Sequence, residues 1–93
     1  MNLTKVQLDK VSELAQLTIT PQMIAACIEV DELDFVEACN TPGTPERSAF
    51  LSGVAQQMLD TRAAIIKAAH NGSNPAQSEL LRFIDKQLYN LRR

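Results

Sequence analysis

Tryptophan is missing altogether, and the 93 residues include only three glycines, two cysteines and a single histidine. Each shortage excludes a class of chemistry. A nucleophilic triad needs a base positioned beside its nucleophile, and the lone candidate, His70, lies at the end of an expected helix, where a partly cationic ring suits the helix dipole. So few glycines leave no Gly-rich phosphate loop. Cys27 and Cys39 are too far apart for a metal knuckle and have no histidine nearby, so both are expected as free, buried, small hydrophobes. No apolar run approaches the roughly 18 to 20 residues that span a bilayer, and the opening MNLTKVQLDK lacks the apolar region of a signal peptide. A cytoplasmic protein with no membrane contact is expected. No cofactor, metal or catalytic residue is expected either, and an enzyme is not the reading.

Charge of one sign is also missing over a long stretch. No Lys or Arg occurs between Val11 and Glu46. Residues 1 to 46 hold two bases against eight acids, net −6, and residues 47 to 93 hold seven bases against three acids, net +4. The overall charge of −2 therefore conceals an acidic first half and a basic second half.

What is present is helical patterning. Leu3, Val6, Leu8, Val11, Leu14, Ala15 and Leu17 recur at helical spacing, giving a first amphipathic helix over about residues 4 to 17. Thr20-Pro21 is a start signal, because the hydroxyl caps free amides and proline tolerates the first helical position. A short helix over Gln22 to Ile28 follows, then a turn at Glu29 and Val30. Asp31 caps a third helix from Glu32 to about Cys39.

The stretch Asn40-Thr-Pro-Gly-Thr-Pro-Glu46 is the one turn-rich link. Thr44-Pro45-Glu46 repeats the cap, proline and acid grammar and opens a long helix to about Ala69, with Phe50, Leu51, Val54, Met58, Ile65, Ile66 and Ala69 as its apolar stripe. His70-Asn71-Gly72 ends it, and Asn74-Pro75-Ala76-Gln77 opens the last helix, with Gln77 at the capping-box position. Leu80, Leu81, Ile84, Leu88 and Leu91 line one side of that helix. The chain is expected to be all-α: a helix-turn-helix-like head over 1–42, then a hairpin of two longer helices over 43–93, together one compact domain.

The residue pattern MIAACIEV (23–30) with Leu33, Phe35 and Val36 beyond it, and KAAHNGSNPAQSELL (67–81), resembles the helix-turn-helix proteins of phages and prophages that include terminase small subunits. The resemblance runs over residues 23 to 88, and Glu29 stands where that group usually has a turn glycine. It implies an oligomeric, ring-forming component that recognises DNA and helps a large terminase subunit engage it for packaging.

The recognition helix would fall at Asp31 to Cys39, which carries acids and no base. Groove entry needs bases there to neutralise phosphates and donate to base edges. Contact with double-stranded DNA is therefore expected from Arg62, Lys67, Arg82, Lys86, Arg92 and Arg93, by phosphate attraction alone. Asp31, Glu32, Asp34 and Glu37 are expected to face protein, either a neighbouring subunit in a homo-oligomer or another partner. The alternative is a protein-binding adaptor or anti-repressor that kept the fold without DNA affinity. Ordinary solvated faces remain a third account of the charge split.

Overall fold

A computed structural model describes residues 1–91, so Arg92 and Arg93 lie outside the described residues. The fold is all-α, with five helices and no strand among the described residues: α1 Lys5–Gln16, α2 Pro21–Cys27, α3 Glu32–Asn40, α4 Pro45–His70 and α5 Asn74–Leu91. The chain forms two compact units, Met1–Met58 and Leu59–Arg93. Their division falls inside α4, and the turn-rich link at residues 40–46 belongs wholly to the first unit.

Caps start the helices, at Thr20, Asp31 and Thr44 as the sequence implies and at Thr4 and Ser73 besides. Thr4 opens α1 with a full capping box, its hydroxyl accepting from Gln7 N–H while Gln7 Oε1 accepts from Thr4 N–H. Thr20 accepts from Met23 N–H, and Asp31 Oδ2 accepts from Asp34 N–H at 3.0 Å. Thr44 Oγ1 accepts from Arg47 N–H and donates to Ala38 O at 2.6 Å, tying the start of α4 to the end of α3. At α5 the cap is Ser73, whose hydroxyl accepts from Ala76 N–H. Gln77 is not the capping-box partner: its Nε2 donates instead to Ala69 O at 3.0 Å.

Three helices end in the same way. After α1, Thr18 N–H bonds Ala15 O and Ile19 N–H bonds Leu14 O; after α2, Glu29 N–H bonds Ala26 O and Val30 N–H bonds Ala25 O. After α4, Gly72 N–H bonds Ala69 O and Ser73 N–H bonds Ala68 O. This paired pattern is the Schellman motif, which needs a left-handed residue just past the cap. The residues there are Thr18 (φ 66°), Glu29 (φ 59°) and Gly72 (φ 97°), so two of the three positions hold side chains that resist the conformation.

The first unit owns the core. Val11, Ala15, Ile24, Ala25, Phe35 and Cys39 are buried together, with Leu14, Ile19, Ile28, Val30, Phe50 and Val54 packed around them. Phe35 and Cys39 are one helical turn apart and face inward together. Leu33 precedes Phe35 by two residues, about 200° round the helix, and is accordingly 76% exposed rather than a core residue. Cys27 is likewise exposed, because Ile24 and Ala25 set the buried side of α2 and Cys27 falls beyond it. Gly53 is the contact that lets α4 lie against α1. A Cβ at this position would strike Ser12 O and sit 2.8 Å from Ala15 Cβ and 3.0 Å from Gln16 N.

The second unit has almost no interior. Ala69 is its one buried apolar residue among those described, and α5 buries none. Leu81, Ile84, Leu88 and Leu91 keep helical spacing along α5 and are all exposed, as are Leu59 and Ile66 on α4. Near the reversal at residues 71–73, α5 turns back on the last turns of α4, with the Arg62 guanidinium 4.0 Å from the centroid of the Phe83 ring.

Three outcomes follow for stability in urea. Glu29→Gly, which relieves the left-handed side chain, should raise it by about 0.5–1 kcal/mol, while Gly72→Ala should lower it by about 1 kcal/mol. Gly53→Ala should cost about 1–3 kcal/mol, because the atoms met are backbone and a neighbouring Cβ with no soft side chain to yield.

Candidate interaction surfaces

The acidic residues of α3 do not act as one set. Asp31 caps the helix, and its carboxylate is engaged with the Asp34 amide. Glu32 is exposed in the first turn and does not line the groove described next. Asp34 and Glu37, three residues apart, face the corner where α3 gives way to α4. There they line an open groove of about 420 Å³ with Ala38, Thr41, Thr44, Glu46 and Met1.

Glu46 makes this groove unusual. The residue is 3% exposed, and its carboxylate makes no hydrogen bond or ion pair with any described residue. Position explains how the fold tolerates it. Glu46 is in the first turn of α4, where free amides and the helix dipole favour negative charge, and its carboxylate retains access to the groove. The sequence marks Glu46 as an acid of the first helical turn; its burial depends on how α3 and α4 meet.

Cys39 lies close behind. Arg47 Nη1 donates to Cys39 O at 3.0 Å, fixing the guanidinium against the end of α3. Burial pushes the Cys39 thiol above its ordinary value of 9.0, the Glu46 carboxylate pushes it further, and Arg47 pulls it back.

In the second unit the structure gathers three of the expected DNA-contact residues. Arg62, Arg82 and Lys86 share a groove of about 290 Å³ with Phe83, Glu79 and Asp85. Arg62 stacks on Phe83, a platform that the sequence reading does not single out although Phe83 adjoins Arg82. Arg82 pairs with Glu79 at 2.8 Å, so part of its charge is already answered. Lys86 is exposed and makes no ion pair among the described residues. Lys67 stands apart from this groove, exposed in the last turn of α4. Arg92 and Arg93 fall outside the described residues. With three bases against two acids, the groove attracts phosphate only weakly and offers no pattern for reading bases.

Two further concavities belong to the first unit. One, of about 360 Å³, is mainly apolar and lined by Ile19, Pro21, Phe50, Val54 and Met58; the other lies beside Cys27 and Ile28. No group of three or more His, Cys, Asp or Glu side chains among the described residues is arranged to hold a metal ion. Nor is any helix among the described residues long and apolar enough to cross a membrane.

The two thiols should separate cleanly in a labelling experiment. A water-soluble disulfide reagent should modify Cys27 rapidly and Cys39 only after denaturation. Because the folded Cys39 thiol titrates above its unfolded value, its contribution to stability is present below about pH 9 and is lost as pH rises through the folded value. Cys39→Ala should therefore flatten the alkaline fall in stability measured against urea; an unchanged alkaline slope would remove Cys39 as its cause.

No protein-family model, no curated protein and no solved structure matches this chain.

Proposed function

We propose that the chain is a non-enzymatic, self-associating phage-type DNA-packaging component of the terminase-small-subunit kind, in which α2, α3 and their turn form a helix-turn-helix and α4 and α5 form a hairpin. The observation that carries this reading is the state of α5: an 18-residue amphipathic helix with a regular apolar side and no buried residue. Such a side is uncovered by its own unit and calls for association. The same unit contains the segment KAAHNGSNPAQSELL that carries the family resemblance, and it holds six of the nine Lys and Arg residues.

DNA would be held electrostatically by the second unit, at Arg62, Arg82, Lys86 and Lys67, with Arg92 and Arg93 adding charge. Sequence reading by α3 is not part of the proposal, because Glu32, Asp34 and Glu37 put negative charge where a recognition helix needs donors and cations. A large terminase subunit is the proposed further partner. The exposed acids of α3 favour a second reading, a protein-binding adaptor or anti-repressor that retained the helix-turn-helix packing without DNA affinity.

Duplex DNA binding should weaken steeply with added salt, the mark of counterion release. Arg82→Glu combined with Lys86→Glu should abolish it with helix content unchanged by circular dichroism. Absence of binding at low salt would transfer the proposal to the adaptor reading. Light scattering at tens of micromolar should give a mass several times that of one chain, and a monomer there would overturn the self-association.

A further inference from the structure

We propose that the groove between α3 and α4 receives a lysine or arginine side chain from the Leu59–Arg93 unit of a second copy of this chain. The inference rests on the self-association proposed above and specifies its polar contact.

Three observations lead to it. Asp34 and Glu37 stand exposed on the groove wall, and exposed acids alone ask for nothing but water. Glu46 differs: it is 3% exposed, lines the same groove, and makes no ion pair among the described residues. A carboxylate in that position is stabilised by any cation that enters, and each of the two outer carboxylates adds attraction along the way. The three do not form a metal-holding group, and the opening is wide enough for a long alkyl stem tipped with a charge.

The occupant is identified by charge balance. The Met1–Met58 unit carries −5 and the Leu59–Arg93 unit +3. Lys67 and Lys86 in the second unit are exposed and make no ion pair among the described residues. A first unit meeting a neighbour's second unit is a heterologous contact, which repeats from copy to copy and closes into a ring if its rotation allows. Opposite charges would fix the register of such a contact, while the apolar side of α5 supplies area.

Charge reversal in mixtures tests this directly. One variant carries Asp34→Lys and Glu37→Lys, and another carries Lys67→Glu and Lys86→Glu; circular dichroism confirms that both fold. Sedimentation equilibrium should show each variant alone dissociated at concentrations where the natural chain assembles. An equimolar mixture should reassemble, because the reversed groove of one now faces the reversed unit of the other. Glu46→Gln, which keeps the shape and removes the charge, should weaken assembly about tenfold or more.

Variants that assemble alone as well as the natural chain would overturn the groove contact while leaving self-association standing. Dissociated variants that fail to reassemble when mixed would also overturn it, pointing to a different basic protein as occupant. A natural chain that is monomeric throughout would defeat the self-association itself.

Discussion

Helices of twelve, seven and nine residues do not persist alone in water, so α1, α2 and α3 exist only because Val11, Ile24 and Phe35 meet at one point. Each is removed fully from solvent, and each such burial contributes roughly 1.5–3 kcal/mol. Everything else in the first unit follows from that meeting. The left-handed turns at Thr18 and Glu29 are strained, yet they aim α2 at α1 and α3 at α2. Gly53 allows the first turns of α4 to close over the cluster, and that closure covers most of Glu46.

The second unit is governed by the opposite condition. Its two helices are long enough to satisfy their own backbone, but Ala69 is the sole apolar residue buried there among those described. A stack of Arg62 on Phe83, a bond from Gln77 to Ala69 and a glycine turn hold the reversal locally. The side of α5 carrying Leu81, Ile84, Leu88 and Leu91 is left exposed by the described residues. An acidic unit with its core complete and a basic unit with its apolar surface uncovered are the two features on which the proposed association and charge pairing rest.

Much of the fold was legible in the sequence because caps act locally. Thr20-Pro21, Asp31, Thr44-Pro45 and Gly72 mark helix ends by chemistry that needs no tertiary context, and the observed bounds lie close to those expected. The capping box at Thr4 and Gln7 was equally readable in the residues, though the pattern reading passed over it. What was hidden is tertiary. Leu33 and Cys27 look like core residues by type, but the inward side of each helix is chosen by Phe35 and by Ile24 with Ala25. No proline or glycine marks the division after Met58, since it falls within regular helix. Of the acids on α3, only Asp34 and Glu37 reach the groove, and the buried Glu46 that joins them belongs to another helix.

The central claim is that nucleic acid meets the basic unit while the acidic side of α3 is turned to protein or water. Amide chemical shifts followed during titration with a short duplex at low salt would test it most directly. The account predicts the largest shifts within Leu59–Arg93, with smaller ones in Asp31 to Asn40 limited to the Asp34 and Glu37 groove that a neighbour's lysine occupies. Shifts concentrated in α3 would contradict it.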